Sequence, residues 1–390
     1  MKKLLLSAAI AFTALSAYAD FTGTGYYRVQ NAMTKRYAYL LDDKGSFDNQ
    51  TGSADVSALK LFKDPQAVIS DPSTVFYIDC VKGMGSTIME CNIAGQGTSL
   101  YAFFGQYMNL MAGKKVDGIQ TYLAYASRSG FTRYLGDLRE NPKKEEGNPS
   151  VAAVGDLRLW YIDPVVADSE NSYFGVAPTV DVQGRHYEPF FAGFPFEPYS
   201  GGMKVYTVSH VDSYNQVAVL KEVKDVVPAG TPVIIECSAS QPSSNRLNIG
   251  GSASAVTGNL LKGVYFNNEE PYNHRNRTAY DKRTMRLLTE KNGQLTFDQA
   301  NVEWLPRNQA YLQLSNDAEY AVASYRVMNE DDYEAQYGAV DVIAVDAAVD
   351  VYSVDGCLVK SGILRSDVYG LGKGVYILRS GAMMEKLLVP

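Results

Sequence analysis

The sequence consists of short runs of strand-forming residues separated by turn residues. The strand-like runs recur along the whole chain, among them YYRVQ (26–30), YAYLL (37–41), VFYID (75–79), GMKVYTVSHV (202–211), VIIEC (233–237) and GVYILRS (374–380). Tyrosine is the most marked compositional feature, with 28 residues against 15 phenylalanines, and it favours pleated, half-buried surfaces. With 33 glycines and 15 prolines supplying turns, the sequence predicts an all-β protein.

The first region, 20–155, is predicted to be a β-trefoil-like domain. Its segments 34–40 and 131–135 resemble each other, since both place Thr, a basic residue, Tyr and Leu in the same order. A repeat of short β units is typical of a trefoil or a closed barrel. Chance similarity between two strands rich in tyrosine and leucine is the alternative. Two other segments, 57–62 and 100–113, are interpreted as short helical turns.

The remainder is predicted to form two further β units. Region 156–326 has strands without helical periods between them, which is typical of a β-sandwich. An acidic segment follows, and 327–339 is interpreted as a linker or a short exposed helical turn. Region 340–390 is too short to bury a large core alone, so we expect a small β-sandwich tail that packs on a neighbour.

The N-terminal segment 1–19 has the features of a secretory signal peptide. Lys2 and Lys3 precede an apolar run over 4–15, and Ala17 and Ala19 supply the small residues that a signal peptidase requires. The apolar run is shorter than the roughly 20 residues that cross a bilayer, and no later run is long enough. We therefore predict cleavage before Asp20, export, and a location at the cell surface or outside the cell, with no transmembrane segment.

The net charge of the chain narrows the classes of partner that the protein could bind. A formal net charge of -7 and a pI of about 5.2 argue against nucleic acid as a partner, because phosphate binders present a clustered basic face.

Cys80 and Cys91 lie on neighbouring strand-like runs, and a hairpin between them could bring the thiols together. Either a disulfide or two buried free thiols fits the sequence.

The sequence carries no recognisable catalytic constellation. His186, His210 and His274 have no histidine or cysteine at metal-ligand spacing, and no serine or cysteine nucleophile motif accompanies them. Phosphate-binding and dinucleotide-binding glycine motifs are also missing from the sequence. We therefore predict a protein that is not an enzyme and that uses no metal or cofactor.

An aromatic segment over 187–199 is the candidate binding site. Phe194, Phe196 and Tyr199 lie among turn residues, near glutamates that could accept hydrogen bonds from a sugar. The alternative is that the segment lines the core of the sandwich.

The C-terminal segment resembles the sorting domain of type IX secretion cargo in Bacteroidetes. The matching positions are Gly356, Gly370, Lys373, Gly374, Tyr376 and Ile377. The resemblance implies export machinery as a partner.

Two further stretches resemble modules of secreted Bacteroidetes proteins. The turn and strand from Pro228 to Val233 and the late strand Ala310-Tyr311-Leu312 are similar to an accessory β module, which implies no catalysis. The first region looks like a ricin-type or MIR-like β-trefoil. The Gln-x-Trp lectin motif is missing, since the two tryptophans of the chain, Trp160 and Trp304, lie outside this region, so the resemblance does not carry sugar binding over to it.

These features together predict a secreted or cell-surface, non-catalytic binding or adhesion protein whose ligand is an extracellular glycan or a host protein. A secreted hydrolase with dispersed carboxylates and a structural envelope protein without a ligand are the alternatives.

Overall fold

The computed structural model describes residues 21, 23–44, 53–54, 59–62, 64–83, 88–100, 108–128, 130–137, 146–269, 275–337, 343, 347–381 and 383–389. Over these residues the chain is all-β, which confirms the predicted fold class. Its α-helices are short, namely α1 (Pro65–Ser70), α2 (Asp317–Tyr320) and α3 (Glu330–Tyr337). No helix in this part of the chain has the length and apolar character needed to cross a membrane. The predicted cleavage residues, Ala17 and Ala19, lie outside the described residues.

The first region forms a closed ring of paired strands. In chain order its strands are β1 (Gly25–Asn31), β2 (Tyr37–Leu40), β3 (Ser53–Ala54), β4 (Leu59–Phe62), β5 (Phe76–Gly83), β6 (Ile88–Gly95), β7 (Thr98–Leu100), β8 (Met108–Val116), β9 (Ile119–Arg128), β10 (Phe131–Tyr134), β11 (Gly136–Asp137), β12 (Glu146–Gly147), β13 (Pro149–Ser150) and β14 (Trp160–Pro164). The antiparallel pairs β1–β5, β5–β6, β6–β8, β8–β9, β9–β14 and β14–β1 close the ring. The described strands therefore make a barrel, and the finer trefoil layout stays a prediction.

The barrel interior is apolar and nearly filled. It is lined by buried side chains that include Phe76, Ile78, Leu110 and Trp160, and a residual cavity of about 30 Å³ lies among them. Trp160 is 1 % exposed, and its indole Nε1 donates a hydrogen bond to the carbonyl oxygen of Leu135 at 3.0 Å. The one polar atom of this large ring is thus satisfied inside the core.

Two local expectations for the first region differ from the structure. The segment 57–62 contains strand β4, and the segment 100–113 runs into strand β8, so the helical interpretation is wrong where the structure describes them. Alternating burial explains both strands, because Leu59 and Leu61 face the core while their neighbours are half-exposed. Strand β14 also completes the barrel, which moves the end of the first sheet beyond the predicted boundary at 155.

The second region contains a large curled sheet and a small one. Its strands are β15 (Phe174–Gly175), β16 (Val180–Val182), β17 (Arg185–Phe190), β18 (Phe196–Pro198), β19 (Lys204–Asp212), β20 (Val217–Glu222), β21 (Val233–Cys237), β22 (Arg246–Ile249), β23 (Leu261–Val264), β24 (Met285–Lys291), β25 (Gln294–Asp298), β26 (Gln309–Gln313) and β27 (Ser324–Asn329). The large sheet has the order β16-β17-β21-β19-β20-β27-β25-β24-β26-β23, and the small sheet has the order β15-β22-β18. The predicted sandwich layout of this region stays a prediction.

Of the two interpretations of the acidic segment after β27, the structure confirms the short exposed helix. Helix α3 occupies it, and the Asn329 side chain accepts a hydrogen bond from the backbone nitrogen of Asp332 at 2.7 Å, which caps the helix. Tyr333 donates to Asp212 at 2.8 Å, and the Tyr337 hydroxyl accepts from Arg326 at 2.8 Å. The helix is therefore tied to strands β19 and β27 of the large sheet.

The C-terminal region forms a sheet with the order β29-β28-β30-β31. Its strands are β28 (Ala348–Ser353), β29 (Leu358–Leu364), β30 (Gly374–Ser380) and β31 (Met383–Val389). Val349, Val351 and Leu378 are among the side chains that form its small core. Arg365 pairs with Glu385 beside this core.

The barrel and the second region meet through amide and carboxylate side chains. Asp71 accepts hydrogen bonds from Arg307 at 2.6 Å and from Asn308 at 3.1 Å, and Gln96 donates to the Asn308 side-chain oxygen. The amide oxygen of Gln96 accepts a hydrogen bond from the backbone nitrogen of Gly193 at 2.8 Å. A Cβ atom at Gly193 would lie 2.4 Å from the Cα atom of Gln96, so this contact requires glycine. We call this contact set the junction.

Cys80 and Cys91 are directly opposite each other on strands β5 and β6. Their Sγ atoms lie 2.9 Å apart, and Cys91 is fully buried. Burial raises the pKa of both thiols, so neither is an activated nucleophile. The hairpin that was expected to bring the two thiols together is therefore present.

We expect Cys80 and Cys91 to form a disulfide when the folded protein is incubated with oxidised glutathione. The product should be lighter than the reduced chain by two hydrogen atoms and more stable by about 2–3 kcal/mol. Mass spectrometry and chemical denaturation measure the two effects. The mass is read in the Cys357→Ser protein, because the exposed Cys357 thiol would otherwise take up glutathione, and Cys80→Ser in that background should abolish both effects. Two free thiols after oxidation would contradict the expected bond.

Candidate functional site

The aromatic segment singled out in the sequence is mainly a core element. Phe194 and Phe196 are 2 % and 1 % exposed, and both belong to a buried cluster with Phe174 and Phe190. The Phe190 and Phe196 rings meet edge to face, with centroids 5.2 Å apart. Tyr199 is 53 % exposed. The structure thus corrects the binding role of Phe194 and Phe196 to a packing role, because rings enclosed in the core cannot face a ligand.

The described histidines do not come together. His186 Nδ1 lies 2.8 Å from a carboxylate oxygen of Asp181, across the β16–β17 hairpin. The His210 ring meets Tyr333 edge to face at 5.2 Å. His274 lies outside the described residues. Within those residues, no group of three or more His, Cys, Asp and Glu side chains could hold a metal ion.

A polar groove lies on the large sheet of the second region. It has a volume of about 360 Å³, within the size range of small-molecule sites. Strands β17, β21, β19, β20, β27 and β25 are adjacent in the sheet, and each contributes to the groove lining. We call this concavity the central groove.

Two hairpin tips close one end of the central groove. The turn between β16 and β17 has Gln183 and Gly184 at φ 54° and 84°, and the turn between β24 and β25 has Asn292 and Gly293 at φ 54° and 76°. Such left-handed pairs are typical of tight two-residue hairpins. The Gln183 side-chain amide donates to the carbonyl oxygen of Gly293 at 3.3 Å. The two ends of the curled sheet are thereby held together at the groove.

Glu236 is the centre of the polar wall of the groove. Arg185 donates to Glu236 Oε1 from Nε at 3.2 Å and from Nη2 at 2.7 Å. The Tyr206 hydroxyl donates to Glu236 Oε2 at 3.0 Å. Because both carboxylate oxygens are engaged, the orientation of Glu236 is fixed. A ligand would meet a preformed polar surface rather than a mobile side chain.

The two tyrosines beside this carboxylate are strongly desolvated. Tyr187 is 4 % exposed and Tyr206 is 7 % exposed. Burial, followed by the charge of Glu236, raises the pKa of Tyr187 to about 12 and also raises that of Tyr206. Both phenols therefore stay neutral near pH 7 and act as hydrogen-bonding and packing groups. The guanidinium of Arg185 lies 5.6 Å from the centre of the Tyr187 ring.

The opposite wall of the groove is also polar. It is formed by Gln294 of β25, by Arg326 and Asn329 of β27, and by Asp332 of α3. Asn329 and Asp332 are linked by a 2.8 Å hydrogen bond, and Arg326 is held by Tyr337. The central groove thus presents planar amide, carboxylate and guanidinium groups on two sides of a partly apolar floor.

Sequence reasoning did not find this site. Arg185 and Tyr187 alternate on one strand, but Glu236 lies 51 residues from Arg185, and the pairing depends on the neighbouring positions of β17 and β21. One local signal was available. The Gln183-Gly184 and Asn292-Gly293 turns both mark hairpins, and both tips lie at the groove.

Comparisons with known proteins do not identify a family. No family model matches the chain, and no curated protein matches it. Among solved structures, the chain is similar at low level to a mosquitocidal holotoxin, with a TM-score of 0.25 and 10 % sequence identity. The match covers 95 % of this chain and 51 % of the other, so the chain spans about half the length of that protein. A likeness at this level carries no argument about fold or activity.

Proposed function

We propose that the protein is an exported, non-catalytic binding protein of the cell surface or extracellular space, and that it binds a glycan through the central groove. The observation that supports this most directly is the groove itself, whose 360 Å³ are bordered by fixed side chains of Arg185, Glu236, Arg326 and Asp332. Sugars present many hydroxyl groups, each of which can donate and accept hydrogen bonds. Planar carboxylate, amide and guanidinium groups match such hydroxyls in both roles.

The composition of the groove favours a sugar over an apolar ligand. The groove offers little apolar surface, because Tyr187, Tyr206 and Leu220 on its floor are only 4 %, 7 % and 5 % exposed, whereas charged groups stand on both sides. An apolar ligand would leave those charged groups desolvated and unpaired, which costs affinity. The export signal, the sorting-domain resemblance and the accessory-module resemblance support the proposed location and the non-catalytic role.

The test is a glycan array probed with the full chain, followed by calorimetry on each hit. We expect saturable binding that Arg185→Gln weakens by about tenfold or more, because a charged hydrogen-bond donor is lost from the groove wall. Arg283→Gln is the matched control, since it removes an exposed arginine–aspartate pair that does not line the groove.

Two results would overturn the proposal. A blank array would favour the structural envelope protein instead. Release of new reducing ends from a hit incubated with the protein would favour the hydrolase.

A further inference from the structure

A second cavity lies at the junction, apart from the central groove. It encloses about 230 Å³, roughly the volume of seven or eight water molecules. One side comes from the first region, at the end of α1 and the turn that follows it, and includes Ser70, Asp71 and Pro72. The other side comes from strand β17 and from the segment 307–309. Ligand sites occur preferentially where two such units meet.

A buried carboxyl group lines this cavity. Glu188 is 8 % exposed, and its Oε2 accepts a hydrogen bond from the Thr179 hydroxyl at 2.7 Å. Within the described residues, no lysine, arginine or histidine forms an ion pair with Glu188. Its burial raises the pKa of the carboxyl group to about 8. A carboxyl group in such a place normally has a compensating cation, but the guanidinium of Arg307, which lines the same cavity, is paired with Asp71 instead.

Hydrogen bonds within the junction engage donors of Asn308 and Arg307, two of the polar residues that line the cavity. Both hydrogens of the Asn308 amide go to Asp71 and Ser73, at 3.1 Å and 3.0 Å. Arg307 donates to the same two side chains, at 2.6 Å and 3.1 Å. The Glu188 carboxyl group is less occupied, since its donors among the described residues come from Thr179. The cavity therefore offers this carboxyl group as an acceptor, to which a matching ligand must supply donors.

We propose that this cavity, which we call the Glu188 cavity, binds a small molecule that carries a primary ammonium group. The ammonium has three donors and a positive charge, and it would lie against the Glu188 carboxylate. Its carbon chain would contact the exposed apolar side chains of the cavity lining, Ala67 and Ala177. On binding, the Glu188 carboxyl group gives up its proton to the buffer, and the ammonium replaces that proton as its partner.

The proposal predicts proton release and a pH-dependent affinity. Affinity for an amine should rise as pH increases from 6 to 8, because less work is then needed to deprotonate Glu188. The other titratable groups nearby are the Asp71–Arg307 pair, which lines the cavity, and Cys237 on the neighbouring strand β21. Burial raises the pKa of Cys237 to about 12, so this thiol does not titrate in the tested range.

The test is calorimetry of the full chain with butylamine, ethanolamine and 1,4-diaminobutane. Each amine is compared with its uncharged counterpart, butanol, ethylene glycol or 1,4-butanediol. We expect saturable binding of at least one amine, at least tenfold weaker binding of its alcohol, and a heat that changes with the ionisation enthalpy of the buffer.

Glu188→Gln is the decisive variant, because it keeps the shape and neutral state of the side chain and removes the ability to ionise. It should lower the affinity for the amine by at least tenfold, while Glu170→Gln, at an exposed glutamate, should leave the affinity unchanged. The proposal fails if none of the three amines binds saturably, if alcohol and amine bind equally, or if the folded Glu188→Gln protein binds the amine as the parent does. A failed glycan array would leave this result unaffected, since the two sites have separate linings.

Discussion

Replacing Asn245 with aspartate should destabilise the protein by roughly 3–5 kcal/mol. Asn245 is fully buried, and its amide nitrogen donates to the carbonyl oxygens of Val176, Ala239 and Gln241 at 3.1, 2.7 and 3.1 Å. Its side-chain oxygen accepts from Ser238 and from the backbone nitrogen of Ala239, both at 3.1 Å. An aspartate of the same shape would turn an oxygen toward three carbonyl oxygens, and its charge would be buried without a cation.

Chemical denaturation of the two proteins measures this effect. Asn301→Asp is the matched control, because it makes the same chemical change at an exposed position, where substitutions usually alter stability by less than about 0.5 kcal/mol. If Asn245→Asp were as stable as the control, the hydrogen bonds assigned to the Asn245 amide would be wrong.

The stability of the protein should fall as pH rises from about 5 to 8. Burial raises the pKa of Glu188 to about 8, whereas an unfolded glutamate loses its proton near pH 4.3. Between these values the folded state holds a proton that the unfolded state has lost. Raising the pH therefore favours unfolding, by about 1.4 kcal/mol per pH unit for this one group. The loss is complete above the folded-state pKa.

Asp163 should also make stability fall as pH rises, over a narrower range of pH. It is 6 % exposed, and its burial raises the pKa of its carboxyl group to about 7, although the charges of Arg28 and Lys35 oppose the shift. Denaturation curves at pH 5, 6, 7 and 8 measure the combined slope. Glu188→Gln should remove the Glu188 part of the slope and be more stable than the parent at pH 8. Stability that increases over this range, or an unchanged slope in the variant, would contradict the burial assigned to Glu188.

Local sequence patterns were sufficient to predict many of the strands. The runs at 202–211, 233–237 and 374–380 fall on strands β19, β21 and β30, and the Asn292-Gly293 turn lies between β24 and β25. These features depend on neighbouring residues, because strand propensity and left-handed turns are short-range properties. The all-β class follows from them.

Features that depend on distant parts of the chain could not be predicted in this way. Strand β17 is buried over four consecutive residues, from Tyr187 to Phe190, because both of its faces are covered. An alternating pattern therefore did not reveal that Glu188 is inside. The sequence offered a core position for Phe194 and Phe196 only as an alternative to a binding site. The two could not be separated from sequence, since the exposure of a segment is set by the strands that cover it. The partnership of Arg185 with Glu236 also requires the strand order, which the sequence does not show locally.

The closure of the barrel has a consequence for the growing polypeptide. Strand β1 begins at Gly25, and its partner β14 ends at Pro164, so the ring cannot close before ribosomes have made nearly all of the first region. Contacts between such distant segments are slow to form, because a long loop must be ordered before they contribute. The barrel of a nascent chain should therefore stay open until β14 has been synthesised. A chain in that condition can still be threaded through a narrow pore.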